Sequence, residues 1–253
     1  MTGPGPLKTV DTTFRVVEEL WRLDGAGVTD LATRLDMPKS TTHDYLRSLD
    51  RAGYAIRDNG QYRLSTKFLQ IGGRLKWRME LFHVASPELE RIADETGEEA
   101  NLTVAENHRA VIVHAERGEQ SLNLGDYPGL QTPLHTHASG KAILAHLPED
   151  RVDGVIGDGL EQVTEHTISD PAELRRELET IREQGYAFDT DEQVLGMGVV
   201  AAPIGGGDGG DVHGAVGIVS PTRRLEDEGY VGELVDAARQ ASNVIDINYK
   251  YGG

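Results

Sequence analysis

The chain has 253 residues without a single cysteine, and 38% of them are hydrophobic. That length suffices for one large domain or two ordinary ones. The missing cysteines exclude disulfides, thiolate zinc sites and cysteine nucleophiles. No apolar run approaches the roughly 20 residues of a membrane span, and residues 2–6 have no signal-peptide character. The sequence therefore predicts a soluble cytoplasmic protein with no membrane partner.

The formal charge of −17 is unevenly distributed. Residues 1–66 hold nine basic and nine acidic residues, so all of the acidic surplus lies in residues 67–253. A nucleic acid would therefore meet a neutral N-terminal module rather than an acidic one. Arginine outnumbers lysine by 19 to 6, and the acidic residues are scattered. This pattern is typical of organisms that accumulate salt, such as haloarchaea; ordinary acidic solubility is the alternative.

Three helices are predicted in the first 51 residues. Apolar residues at helical spacing indicate a helix over about 10–23 with Thr9 as N-cap, and a second over 29–35 with Thr29 as N-cap. Asp36-Met37-Pro38 predicts a turn, because Asp tolerates left-handed backbone geometry and Pro starts helices. A third helix over 39–51 would bury Thr42, Leu46 and Leu49.

A β-hairpin is predicted directly after the third helix. The runs 54–57 and 61–64 flank Asp58-Asn59-Gly60, and Asn-Gly is the strongest short hairpin signal. Helix, short helix, turn, helix and hairpin is the order of a winged helix-turn-helix. We predict this domain over residues 1–66.

The third helix would present a polar face suited to a major groove. If Leu46 and Leu49 face inward, hydroxyl, imidazole and guanidinium groups face outward, toward base edges and phosphates. Arginines on the hairpin could touch the DNA backbone or minor groove. The alternative is a three-helix domain whose polar face is only solvated. The predicted DNA-binding residues are Lys39, Ser40, Thr41, Thr42, His43, Arg47, Arg51, Arg57 and Arg63.

Residues 67–84 continue at helical spacing and predict a linker helix. Leu75, Met79 and Phe82 would form its apolar side, which could pack between protomers. Pro87 predicts a break, with a further helix ending at Thr96-Gly97. The alternative is a helix that belongs to a single domain.

Residues 85–253 predict an α+β domain with helices outside one mixed sheet. Strands are predicted over 102–104, 111–114, 122–124, 186–188, 199–204 and 215–219, and helices over 139–146, 171–183 and 227–247. The glycine-rich stretch 205–211 predicts a hairpin tip. We do not expect a phosphate loop there, because it contains no lysine and no helix follows it.

A metal-dependent enzyme is a weaker alternative. His135 and His137 on one strand would share a face, and Asp189, Asp191 and Glu192 could complete a metal or acid–base set. That spacing is weakly specific, and no familiar catalytic signature accompanies it. We therefore predict neither catalytic residues nor a metal or other cofactor.

A set of stretches in the N-terminal third matches a known pattern: residues 37–43, Leu46, Leu49, Gly53-Tyr54 and residues 62–64. In these stretches the sequence resembles the IclR family of transcriptional regulators. One departure is Asp44, where the family usually has arginine. A carboxylate repels phosphate and accepts only from donors such as cytosine N4, so Asp44 alters the expected base preference.

The C-terminal part also resembles this family, so that the likeness covers about residues 7–249. It is carried by residues 132–135, 139–142, Gly185-Tyr186 and Asp189, then by Glu192, Leu195-Gly196 and residues 201–203. The resemblance implies a GAF-like domain, over 85–253, that binds a small organic acid, sugar acid or aromatic compound. It also implies a homodimer or dimer of dimers on palindromic double-stranded DNA.

The resemblance further implies an effector pocket. A carboxylate would meet free backbone N–H groups at Ala138 and Ser139, and Asp189 would accept from a ligand hydroxyl. Val199, Gly217 and Val219 replace the cysteine and small hydroxyl residues common in the family, which favours a bulkier, more apolar effector. An architectural DNA-binding protein without an effector is the remaining alternative. The implied effector residues are Ala138, Ser139, Asp189, Met197, Val199, Gly217 and Val219.

Overall fold

The computed structural model describes residues 7–122, 126–207 and 210–252. The chain divides into two compact units, an N-terminal unit over Met1–Leu75 and a C-terminal unit over Lys76–Gly253. Each unit has its own buried apolar core.

The N-terminal unit is a winged helix-turn-helix. Its helices are α1 (Lys8–Arg22), α2 (Val28–Arg34) and α3 (Lys39–Arg51). The strands β1 (Ala26–Gly27), β2 (Ala55–Asp58) and β3 (Gln61–Leu64) form an antiparallel sheet in the order β1-β3-β2. Asp36 has a φ of 51°, and Asn59 and Gly60 have φ of 47° and 82°, as the predicted turn and hairpin require.

Two predicted helix starts are wrong. The N-cap of α1 is Leu7 and that of α2 is Gly27, neither with a capping side chain. Thr9 and Thr29 are the second residues of these helices, and their carbonyls accept from the Thr13 and Thr33 hydroxyls. The helices begin early because packing of buried residues such as Val16 and Leu31 decides their extent.

The helix predicted over 67–84 is two helices. The first, α4, runs over Lys67–Trp77, and α5 runs over Glu80–Thr96 with Met79 as an extended N-cap. The predicted break at Pro87 is wrong, because α5 passes through it. Burial of Leu81, Leu89 and Ile92 on the sheet outweighs the hydrogen bond that proline removes.

The C-terminal unit is built on one six-stranded sheet of order β6-β5-β4-β9-β8-β7. Every pair is antiparallel, so the sheet is not the mixed one expected. The α+β class itself is confirmed. The strands are β4 (Glu99–Glu106), β5 (Arg109–Arg117), β6 (Gln131–Pro133), β7 (Ala187–Thr190), β8 (Met197–Gly205) and β9 (Val212–Pro221).

Helices cover both faces of this sheet. The long α9 (Glu228–Tyr251) and α5 pack on one face through residues such as Leu102 and Ile218. On the other face lie α6 (Ala138–Leu144), α8 (Pro171–Gln184) and α7 (Glu149–Gly157), of which α7 was not predicted. The strand predicted over 122–124 and the tip of the 205–211 hairpin extend beyond the described residues.

Candidate DNA-binding surface and effector cavity

Helix α3 carries an exposed polar face. Lys39, Ser40, Thr41, His43, Arg47 and Arg51 are all exposed, while Leu46 and Leu49 are buried. The side chain of Asp44 is 80% exposed, with Oδ1 at 4.0 Å from His43 Nδ1. This face offers donors in the orientation that a major groove needs, and the carboxylate of Asp44 lies within it.

Thr42 is the exception among the predicted contacts. It is completely buried, and its hydroxyl donates to the Pro38 carbonyl at 3.1 Å. The prediction that its side chain contacts DNA is therefore wrong. Thr42 secures the first turn of α3 instead, because its position faces the core.

The two hairpin arginines lie on opposite faces of the hairpin. Arg57 pairs across strands with Tyr62, and Arg63 pairs with Ile56. Directly opposed residues share a face, so Arg57 shares the side of buried Tyr62, with its guanidinium 5.7 Å from that ring's centroid. Both arginines are exposed, but one flat DNA surface would meet them from different sides.

Lys67 links the start of α4 to the end of α3. Its Nζ donates to the Ala52 carbonyl at 2.6 Å and lies 4.4 Å from the centroid of the Tyr54 ring. A cation at a helix C-terminus satisfies an otherwise unpaired carbonyl and complements the helix dipole. Sequence reasoning missed this contact, which ties the orientation of α3 to α4.

The C-terminal unit contains a cavity of about 310 Å³ on the α6 side of the sheet. Strands β4, β5, β8 and β9 supply its floor, and residues around β6 and before β8 supply its walls. Its lining combines apolar side chains with hydroxyl, amide, imidazole and carboxyl groups. The lining residues are Asn101, Thr103, Ile112, Asp126, Leu130, Gln131, Thr132, His137, Ser139, Asp189, Gln193, Val194, Met197, Val199 and Val219.

Five of the seven predicted effector residues line this cavity: Ser139, Asp189, Met197, Val199 and Val219. Ala138 does not, and its backbone N–H is not free, because it donates to Asp189 Oδ2 at 2.5 Å. The expected carboxylate site on the Ala138 N–H is therefore wrong. The hydroxyl of Ser139 does offer an unused group, since Ser139 is 1% exposed and its Oγ has no hydrogen-bond partner.

Gly217 lies behind the lining and keeps two polar groups close to the sheet. A Cβ at this position would lie 2.3 Å from Ser139 Oγ and 2.8 Å from Asn101 Oδ1. Any side chain would therefore displace Ser139 or Asn101, which both line the cavity. Where the family resemblance implies a small hydroxyl residue, this glycine leaves space for the side chains of Ser139 and Asn101.

Sequence reasoning missed the contribution of β4 and β5. Ala100 and Leu102 face the α5 and α9 core, so Asn101 and Thr103 between them face the cavity. The pairing of β4 with β5 shifts between Leu102 and Thr103, so that Thr103 opposes Ile112 and Leu102 opposes His114. The polar residues that alternate with Ala100 and Leu102 in the sequence could have indicated that one face of β4 lines a polar cavity. No sequence pattern indicated the bulge.

Burial shifts the pKa values of two titratable groups of the cavity in opposite directions. Desolvation raises the pKa of Asp189 to about 7, with Lys141 opposing and Glu192 reinforcing the shift. Desolvation lowers the pKa of His137 to about 4, and nearby Lys141 contributes. His137 is therefore neutral at pH 7, while Asp189 is close to half ionised.

A buried ion pair positions the loop before β8. Lys141 is completely buried, and its Nζ lies 2.6 Å from Glu192 Oε1 and 3.5 Å from Glu177 Oε1. The Glu192 carbonyl also accepts from Thr167 at 2.6 Å. Because Gln193 and Val194 follow directly and line the cavity, this pair fixes one wall.

The structure does not assemble the alternative metal site. His135 and His137 lie after β6 rather than on a strand, so the expected shared strand face is wrong. His135 Nε2 bonds to the Glu161 carbonyl at 3.0 Å, and His137 Nε2 lies 2.9 Å from Thr132 Oγ1. Within residues 7–122, 126–207 and 210–252, no three His, Asp or Glu side chains are placed to hold a metal ion.

No helix in those ranges has the length and apolarity of a membrane span.

Family models match both units. The model "IclR helix-turn-helix domain" matches residues 9–59, and "Bacterial transcriptional regulator IclR C-terminal" matches residues 75–247. The chain belongs to the IclR family of transcriptional regulators. An IclR-family relative, the probable HTH-type transcriptional regulator ArcR of Halobacterium salinarum, is 31% identical over 96% of this chain and 94% of its own.

Solved IclR structures share the fold. The IclR of Thermotoga maritima is 27% identical and superposes with a TM-score of 0.78, covering 96% of this chain and 99% of its own. An IclR homologue from Microbacterium hydrocarbonoxydans, solved with 4-hydroxybenzoate, is 24% identical with a TM-score of 0.77, covering 94% and 99%. The second likeness speaks for the fold alone.

Proposed function

We propose that this IclR-family protein binds a specific DNA operator and that a small molecule in the C-terminal cavity changes its operator affinity. The observation that carries this proposal is the exposed polar face of α3, held beside a hairpin within residues 1–66, whose formal charge is zero. Base contacts would come from Ser40, Thr41, His43 and Arg47. Lys39, Arg51 and the hairpin arginines Arg57 and Arg63 would meet the phosphate backbone or the minor groove.

We propose the 310 Å³ cavity as the effector site. Its size is at the lower end of small-molecule pockets, and the unpartnered Ser139 hydroxyl supports a polar ligand group there. The family resemblance implies organic, sugar or aromatic acids, and 4-hydroxybenzoate in the Microbacterium protein is an aromatic acid. In this reading the C-terminal unit is a sensor rather than an enzyme.

A route from the cavity toward α4 runs along β5. Ile112 lines the cavity, and two residues further His114 Nδ1 lies 2.8 Å from Lys76 Nζ at the end of α4. Lys76 also lies 4.4 Å from the centroid of the Phe82 ring. We propose that a ligand displacing Ile112 alters this contact and thereby α4, which Lys67 ties to α3.

We propose that α4 serves as the linker and contributes to a homodimer or a dimer of dimers. Leu69 and Leu75 are 73% and 67% exposed, and no residue of α4 is buried. Large apolar side chains exposed together on one helix are typical of a protein interface. Two α3 helices in one dimer would then read a palindromic operator.

The acidic surplus supports a cytoplasmic protein from a salt-accumulating organism, and we propose a haloarchaeal source. The Halobacterium relative is consistent with this origin. The acidic surface would stay hydrated in concentrated salt.

Selection from a random duplex pool tests the function. The full chain, in potassium chloride from low to molar concentration, is expected to retain duplexes that share an inverted repeat. No retained duplex at any salt concentration would contradict DNA recognition. Retained duplexes whose affinity no organic metabolite changes would favour the architectural alternative.

A further inference from the structure

Asp44 lies near the centre of the exposed face of α3, and its side chain is 80% exposed. The buried residues of this helix lie along one side, and they are Thr42, Leu46 and Leu49. At roughly 3.6 residues per turn, Ser40, Asp44 and Arg51 lie on the side opposite to them. If α3 enters a major groove with its exposed face, the Asp44 carboxylate therefore points toward the base edges rather than toward the phosphates at the groove rim.

In the described part of the chain, no lysine or arginine pairs with this carboxylate. Arg47 lies three positions further along α3, where helical side chains can meet, but its guanidinium does not pair with Asp44. His43 Nδ1 lies 4.0 Å from Asp44 Oδ1, which is beyond hydrogen-bond distance. Ser48 donates to the backbone carbonyl of Asp44 at 2.7 Å and not to its side chain. Both carboxylate oxygens can therefore accept hydrogen bonds from a partner.

A carboxylate among base edges needs a hydrogen-bond donor. In the major groove guanine presents two acceptors, and thymine presents an acceptor and a methyl group, so neither base supplies one. Adenine presents its N6 amino group between two acceptors, its own N7 and the O4 of thymine. The N4 amino group of cytosine has an acceptor, guanine O6, on one side only. Cytosine is therefore the base that best accommodates this carboxylate.

The other bases are also disfavoured by the charge that Asp44 would leave unpaired. A carboxylate that enters the groove loses water, and this costs free energy unless a donor replaces the lost hydrogen bonds. It also faces the phosphates of both strands. Discrimination therefore comes as much from the penalty against the wrong base pair as from the bond to the correct one.

We propose that Asp44 specifies a cytosine beneath each α3 helix in the operator complex, by accepting a hydrogen bond from the N4 amino group of that base. This inference rests on the proposed DNA-binding function, and it adds one base that each half of the operator must contain.

Selection of duplexes from a random pool by the full chain tests this proposal. Wild type should retain inverted repeats with a C·G pair at one fixed position of each half. Asp44→Asn should shift that position toward adenine, because an amide pairs with adenine N6 and N7. Asp44→Ala should lose the preference there and keep the other positions. The control Asp50→Asn removes an equal charge from an exposed residue on the flank of the same helix, and should select the wild-type sequence.

The outcomes separate the base assignment from the proposed function. If Asp44→Ala selects the same base pairs as wild type, the cytosine assignment is overturned and DNA recognition still stands. The same holds if wild type prefers another base at the position that Asp44→Ala no longer reads. If wild type retains no duplex at any salt concentration, both are contradicted.

A modified base tests the same contact in the unaltered protein. N4-methylcytosine still pairs with guanine, but a methyl group replaces the amino hydrogen that faces the major groove. At the selected cytosine it should weaken wild-type binding about tenfold or more, and Asp44→Ala binding much less. Fluorescence anisotropy measures both affinities in potassium chloride from low to molar concentration. The loss should persist in molar salt, where general repulsion between carboxylate and phosphate is screened. No loss in wild type, an equal loss in both proteins, or a loss that disappears in molar salt would overturn the proposal.

Discussion

In the N-terminal unit the polar groups proposed to bind a partner lie on the outside of one helix, whereas in the C-terminal unit they line a cavity. His43 and Arg47 project from α3 over buried leucines. Asn101, Ser139 and Asp189 are instead at most 4% exposed. The first arrangement suits a large partner, and the second suits a small one.

The two parts of the chain also differ in net charge. Residues 1–66 are neutral, while the remainder holds the whole surplus of 17 negative charges. A polyanion would be repelled by the C-terminal part and tolerated by the N-terminal part. The difference teaches that the net charge of a whole chain is a poor guide to what one unit binds.

The largest expected effect comes from truncating one buried leucine in the core of each unit. Leu46→Ala and Leu102→Ala each truncate a completely buried side chain and should cost about 2–5 kcal/mol in the free energy of unfolding. Leu46→Ala should weaken duplex binding and lower the unfolding midpoint of the N-terminal unit, and Leu102→Ala should lower that of the C-terminal unit. Denaturant titration, together with a duplex-binding assay, checks this. An equal shift of both unfolding transitions in both variants would contradict separate units.

The opposite pKa shifts of Asp189 and His137 should give the next largest effect, on the pH dependence of the free energy of unfolding. Asp189 has a pKa raised to about 7, so it stabilises the fold at low pH, and this contribution is lost as pH rises from about 4 to 7. His137, lowered to about 4, costs stability as pH falls from about 6.5 to 4. In wild type the two contributions oppose each other in that window.

Single variants should expose each contribution. Relative to wild type, the free energy of unfolding of Asp189→Asn should fall about 3 kcal/mol further between pH 6.5 and 4, because the opposing contribution of Asp189 is gone. That of His137→Asn should gain a similar amount relative to wild type as pH falls from 6.5 to 4. Urea titrations across pH measure both slopes. Parallel slopes in the two variants would contradict the opposed shifts.

Arg47→Ala tests the exposed face of α3. It should weaken binding to the selected operator by about 1–3 kcal/mol if Arg47 contacts a guanine, and should relax specificity at that base pair. Arg22→Ala on α1 is the control, because Arg22 pairs with Glu19 outside the recognition helix. Fluorescence anisotropy measures both. Equal losses in the two variants would indicate a general charge effect.

The smallest expected effect lies in α4. Gly72 and Gly73 sit inside this helix, and a Cβ at either position meets nothing within 4 Å. Gly72→Ala should therefore stabilise the helix by about 1 kcal/mol. A stiffer α4 should also change how strongly a ligand alters operator affinity. Thermal unfolding measures the first effect, and an unchanged or lower melting temperature would contradict it.

The sequence predicted the N-terminal unit well because local periodicity determines it. Leu46 and Leu49 at helical spacing define the inner face of α3, and Asn59-Gly60 defines the hairpin. Thr42 shows the limit. Its spacing correctly predicted burial with Leu46 and Leu49, but its inclusion among the DNA contacts was wrong, because its hydroxyl donates to the Pro38 carbonyl.

The cavity could be predicted only in part, because distant segments form it. The family resemblance supplied Ser139, Asp189 and Met197. It did not supply Ile112 or Asn101, which reach the cavity through strand pairing and a bulge. It also misplaced the role of Ala138, whose N–H is taken by a carboxylate 51 residues away.

Histidine labelling with and without the selected duplex tests the central claim most directly. The side chains of His43 on α3 and His166 in the C-terminal unit are comparably exposed, at 46% and 52%. Diethylpyrocarbonate labelling, read by mass spectrometry, should slow at His43 when duplex binds and stay unchanged at His166. Protection of His166 alone, or equal labelling of His43 with and without bound duplex, would contradict DNA recognition by α3.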